Sequence, residues 1–93
     1  IDRLSSEGLR FLNAYSAAPI CSPTRASLMT GLSPARLHLT DYIPGIAAKD
    51  RALRIPDWQK SLPVEQVTIA ERLRDAGYKT GIFGKWHLNY DKN

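Results

Sequence analysis

The run Cys21-Ser22-Pro23-Thr24-Arg25-Ala26-Ser27-Leu28-Met29-Thr30-Gly31 constrains this chain more than any other stretch. Proline fixes its own φ near the helical value and has no N–H, so within a helix it fits only the first turn. Pro23 therefore marks a helix start. Ser22 before it reads as the N-cap, its hydroxyl satisfying a free backbone N–H. Gly31 reads as the stop, where a left-handed residue is wanted. Together these residues predict a helix over 23–30, with Cys21 just ahead of its N-terminus. Free N–H groups and the positive dipole end favour anions there. Arg25, one turn in, can offer a planar fork of donors to oxyanions. A thiol, a cation and a helix start near one point describe an oxyanion site. Taken singly, Cys21 would be a small buried hydrophobe and Arg25 a solvated charge.

The rest of the chain carries a weaker but readable pattern. Ile1, Leu4 and Ser5 recur at helical spacing, and Gly8 stops them. Residues 9–17 alternate and predict a strand, which a short loop over 18–22 joins to the Cys21 helix. Residues 41–63 hold Pro44, Gly45, Pro56 and Pro63 without a clear period and read as an excursion. Thr68 to Glu71 is a capping box, followed by an apolar face of Ile69, Ala70, Leu73 and Ala76, with Gly77 closing the helix. Tyr78 to Gly84 reads as a buried strand that delivers Lys85, Trp86 and His87. Residues two apart on an extended chain point to the same side, so Lys85 and His87 share a side and Trp86 faces away, into packing.

Strand, helix, excursion, helix, strand predicts an α/β fold built on a βαβ crossover in a mostly parallel sheet. Such sheets place their sites at the carboxyl ends of strands. Cys21 follows one strand and Lys85 ends the other, so both segments would meet at one edge.

Composition narrows the function classes. The chain has 93 residues, 43% hydrophobic and 24% charged, with net charge +4. Its Lys and Arg are scattered and not interleaved with aromatics, so nucleic-acid binding has no support. A mild positive balance suits an anionic substrate. No apolar run reaches membrane-span length, and no signal peptide is visible. A lone cysteine excludes an internal disulfide and leaves the redox compartment open.

The eleven-residue run from Cys21 closely resembles the signature of the type I, formylglycine-dependent sulfatases. Gly77-Tyr78-Lys79-Thr80-Gly81-Ile82-Phe83-Gly84-Lys85-Trp86-His87-Leu88 resembles their second signature. Ile1 to Leu4, Glu7-Gly8 and Phe11 to Pro19 also read like sulfatase sequence. The resemblance covers 1–40 and 62–89. A thiol-phosphatase loop sets its cysteine and arginine further apart than the three intervening residues here.

This resemblance implies an alkaline-phosphatase-like sheet with helices on both faces, of which 1–93 would be the N-terminal, incomplete portion of one catalytic domain. Cys21 would be oxidised by a formylglycine-generating enzyme to an aldehyde, whose hydrate attacks the sulfur of a sulfate ester. One hydroxyl of the hydrate attacks and the other later expels sulfate. Arg25 would orient that hydrate, Lys85 would neutralise sulfate oxygens, and His87 would bind or move protons beside it. Calcium would polarise the sulfate, with the modified Cys21 among its ligands and most others outside this chain. Asp2, Asp41, Asp50, Asp57, Asp75 and Asp91 do not match the family's metal ligands. The substrate would be a small sulfate ester or sulfated glycan, and the protein an exported one. His38 and the 41–61 excursion are candidates for the substrate wall. A phosphonate or phosphate ester hydrolase of the same superfamily, or a catalytically inert piece, remain as alternatives.

Overall fold

Three short helices make up the regular structure of the computed structural model, which describes residues 1–46 and 52–90. Asp50 and Asp91, and part of the 41–61 excursion, lie outside the described residues. The first helix, α1, spans Asp2–Glu7 and buries none of its side chains. An exposed Arg3–Glu7 ion pair at 2.9 Å lies along it at a spacing that stabilises a helix by a few tenths of a kcal/mol. Gly8 ends it as expected, its N–H bonding the Leu4 carbonyl at 3.0 Å.

The second helix, α2, spans Cys21–Thr30, so it starts two residues earlier than the sequence predicts. Ile20 is the N-cap and no side chain caps the end. Cys21 is therefore inside the first turn rather than ahead of it. Pro23 takes the third helical position. Its missing N–H still falls among those a helix cannot satisfy internally, so the proline is accommodated one step further in. Gly31 closes α2 in the left-handed conformation, φ 73°, its N–H bonding the Ser27 carbonyl at 2.8 Å.

The third helix, α3, spans Ile69–Asp75 and has the predicted capping box. The Thr68 N–H donates to Glu71 Oε2 at 2.7 Å, and the Glu71 N–H donates to Thr68 Oγ1 at 3.4 Å. The backbone bond from Thr68, then its hydroxyl bond, hold the Glu71 carboxyl below its ordinary value of 4.5. At the other end Gly77, φ 88°, bonds Arg74, and Tyr78 N–H reaches the Leu73 carbonyl, both at 2.9 Å. That pair of bonds is a Schellman motif. The predicted apolar face is present but not covered: α3 packs against α2, yet Ile69 and Leu73 stay exposed.

No strand forms among the described residues, neither over 9–17 nor over 78–84. Leu9, Phe11, Leu12 and Tyr15 are exposed, as are Tyr78, Ile82 and Phe83. The predicted buried strand over 78–84 is thus corrected to an exposed, unpaired segment. The physical reason is that alternation sets strand propensity, whereas a strand exists only when neighbouring chain takes up its N–H and C=O groups. Both segments keep the pattern and lack the neighbour.

The core consists of Ala26, Leu37, Leu39, Ile43 and Leu88, with Met29, Leu32, Trp58 and Leu62 packed against it. It joins α2 to the segment after it and to the end of the second signature. Two backbone bonds fasten the excursion to this core, Gln59 N–H to the His38 carbonyl at 2.6 Å and Leu62 N–H to the Leu88 carbonyl at 2.7 Å. Among the described residues no helix is long and apolar enough to cross a membrane.

Candidate functional site

Cys21, the first residue of α2, is a free and half-buried thiol. Arg25 follows one helical turn later, so the two side chains share a face. They line one open cleft of about 490 Å³ with Thr24, Leu28 and the loop from Ser16 to Ile20. The Thr24 hydroxyl donates to the Ala18 carbonyl at 2.7 Å and holds that loop against the first turn. No side chain caps α2; Pro23 has no N–H and the Thr24 N–H bonds the Ile20 carbonyl at 3.4 Å, which leaves the Cys21 and Ser22 amides as the first-turn donors for an anion. The Cys21 thiol and the Arg25 side chain thus border one cleft at the start of α2.

Arg25 also reaches the second signature. Its Nη1 donates to the backbone carbonyl of Lys85, and its Nε is buried with no partner. The Lys85 side chain is exposed and lines a smaller cavity of about 110 Å³ with Arg25, Leu28, Met29, Trp86 and Leu88. Arg25 thus stands between the Cys21 cleft and the Lys85 cavity and borders both.

His87 adopts a left-handed backbone conformation, φ 57°, and Gly84 has φ 113°. These residues interrupt the extended chain, so the predicted two-residue alternation over 85–87 does not hold. Lys85 and Trp86 line the same cavity, and Trp86 remains 37% exposed. Leu88, not Trp86, enters the core. The His87 ring bonds through Nε2 to the Ile43 carbonyl, and its Nδ1 is buried without a partner.

The structure therefore joins Arg25 to Lys85 and Cys21 to Arg25. Neither Lys85 nor His87 lines the Cys21 cleft. Sequence reasoning missed Ile43 and gave Ser22 a different role, as the N-cap of α2. Ser22 is fully buried and does not cap α2; its Oγ accepts the Ile43 N–H at 3.1 Å. Ile43 carries no local signal, since its role depends on partners 21 and 44 residues away. His38, the suggested wall residue, is exposed with φ 50°.

Among the described residues no three or more His, Cys, Asp or Glu side chains come together to hold a metal ion. A calcium ion prefers about six or more oxygen ligands. The described residues do not fit that ion by themselves.

The chain is similar in sequence to known sulfatases. The arylsulfatase of Hemicentrotus pulcherrimus is 40% identical over 93 residues, which is all of this chain and 15% of that protein. Arylsulfatase A of Homo sapiens is 41% identical over 88 residues, covering 95% of this chain and 15% of its own length. The steryl-sulfatase of Homo sapiens is 35% identical over 88 residues, 95% of this chain and 14% of that protein. The chain thus spans about 15% of the length of the curated relatives it matches. A sulfatase family model matches residues 1–93 throughout, both signatures included, and on that match the chain belongs to the sulfatase family.

Proposed function

We propose that residues 1–93 are part of the catalytic domain of a sulfuric ester hydrolase whose nucleophile derives from Cys21. The observation that carries this reading is the pairing of Cys21 and Arg25 on one face of an uncapped helix start, with Arg25 bonded to the Lys85 carbonyl. Conversion of Cys21 to formylglycine by a generating enzyme supplies a hydrated aldehyde whose hydroxyl is the nucleophile toward sulfur. Arg25 keeps that group oriented and balances its charge. Its buried, unpartnered Nε is a donor still to be used. Lys85 neutralises sulfate oxygens, and His87 moves a proton beside position 21. Fixed donors and cations at peripheral oxygens stabilise the charge that builds in the transition state. Substrates of this class are small sulfate esters or sulfated glycans, and the family resemblance favours an exported enzyme that requires calcium.

The test is hydrolysis of an aryl sulfate by the full-length protein, produced with a formylglycine-generating enzyme, against its Cys21→Ala variant. Turnover should vanish in the variant and should be far weaker on the matching aryl phosphate. Turnover retained in Cys21→Ala would overturn the assignment. A preference for the phosphate would move the protein to phosphate or phosphonate ester hydrolysis.

A further inference from the structure

Ser22 follows Cys21 directly and is fully buried, yet it does not serve its helix. A hydroxyl in a helix's first turn ordinarily satisfies a local N–H. Here Oγ accepts the N–H of Ile43 instead, at 3.1 Å. Ile43 is itself buried in the core, and its carbonyl meets His87 Nε2. The backbone of Ile43 is therefore clamped on both sides. The two bonds belong to successive peptide groups, so the coupling between them is mechanical.

A carbonyl oxygen only accepts, so the ring nitrogen facing it carries the hydrogen. The Ile43 carbonyl thus selects the Nε2–H form of a neutral His87 and leaves the lone pair on Nδ1. Nδ1 is buried with no partner. The backbone at His87 points the same way. A left-handed φ of 57° is uncommon outside glycine and persists where surrounding contacts impose it. Leu88, locked in the core beside it, supplies one such contact and the Ile43 bond supplies another.

We propose that Ser22 is a positioning residue: through Ile43 it holds His87 as the Nε2–H tautomer, with Nδ1 as the nitrogen that exchanges a proton at the site. The role at position 21 rests on the function proposed above; the tautomer does not. In that exchange Nδ1 takes one proton through its lone pair. The resulting imidazolium keeps its Nε2–H bond to the Ile43 carbonyl, and the proton leaves again from Nδ1.

Nitrogen-15 spectra of the His87 ring in the full-length protein read the tautomer without any turnover. At a pH where the ring is neutral, Nε2 should show the shift of a protonated nitrogen and Nδ1 that of a bare one. In Ser22→Ala the two shifts should move toward each other as the tautomers mix. On an aryl sulfate, kcat should fall about tenfold or more with KM little changed. Ser22→Thr, which keeps the hydroxyl, should restore both. A bare Nε2 in the unaltered protein would overturn the proposal, and this holds even where Ser22→Ala does not fold. Unchanged shifts in a folded Ser22→Ala would overturn it as well. The expected tautomer together with undiminished turnover in His87→Ala would remove His87 from the reaction and leave the positioning contact standing.

Discussion

At the scale of single residues, two long-range contacts hold the second signature: Arg25 of the first signature to the Lys85 carbonyl, and His87 to the Ile43 carbonyl. Neither contact involves the Lys85 ammonium, which stays exposed and available. Lys85→Ala should therefore lower turnover of an aryl sulfate by on the order of a hundredfold, the usual loss for one fixed group at developing charge. Its melting temperature should barely change, because a solvent-facing side chain is removed. His87→Ala should lower turnover comparably and also destabilise, since the buried Ile43 carbonyl loses its donor. Kinetics beside melting curves separate the two, and near-normal turnover in either variant would take that residue out of the site. Trp86→Ala should cost less than the roughly 3 kcal/mol of a fully buried aromatic, since the ring is 37% exposed. Cys21 itself is checked by peptide mass. Protein made with a formylglycine-generating enzyme should show the aldehyde at position 21, and thiol alone would contradict the assignment. Residue type and spacing, both local properties, are what single out the four candidate site residues in the sequence. Ser22 misled because its hydroxyl had a nearer, standard use as a cap, and only the fold shows that Ile43 claims it.

At the scale of elements, ends were more legible than interiors. Gly31, Thr68, Glu71 and Gly77 act where the sequence places them, since capping depends on residues within one turn. The start of α2 differs by two residues because Pro23 is tolerated anywhere in the first turn. Strands over 9–17 and 78–84 were the reverse case. Their alternation is in the chain, but the pairing that makes a strand is not. The capping box makes a direct prediction. α3 has seven residues, too few to persist on propensity alone, so its cap matters. Thr68→Ala should weaken α3 by about 1 kcal/mol, visible as faster amide exchange over 70–76. The box also has a pH dependence of defined sign. The folded state holds Glu71 below its ordinary value of 4.5, so its contribution is complete above that value and is lost as pH falls through the lower, folded value. Amide exchange in α3 should therefore accelerate in acid relative to the intrinsic rate, and the pH effect should be absent in Glu71→Gln. An equal acid response in Glu71→Gln would assign the effect to another group.

At the scale of the whole molecule, the described chain is long and thinly packed, 53 × 31 × 24 Å with a radius of gyration of 16.4 Å. A compact domain of this length would have a radius near ~12 Å. Among the described residues five buried apolar side chains form the core, whereas Phe11, Tyr15, Ile82 and Phe83 face outward in the two alternating segments. Ile69, Leu73, Ile82 and Trp86 further line an apolar cavity between α3 and the segment after it. Burial of apolar surface is the main force holding a fold, at roughly 25 cal/mol per Å² removed from water. Conformational entropy opposes it at about 1–2 kcal/mol per ordered residue. A core of five residues leaves little surplus in that balance, and the α/β sheet expected from family membership would be the natural cover for the exposed segments. The 93-residue chain produced alone should therefore unfold without a sharp cooperative transition and bind a hydrophobic dye strongly. Its aryl sulfatase activity should be negligible even with aldehyde at position 21, because the contacts between Arg25, Lys85, Ile43 and His87 hang on that small core. Calorimetry and dye fluorescence on the isolated chain check the first expectation, and an activity assay on the aldehyde-bearing chain checks the second. A sharp melt above about 60 °C with measurable turnover would show that the five-residue core and the helix caps suffice to hold the site.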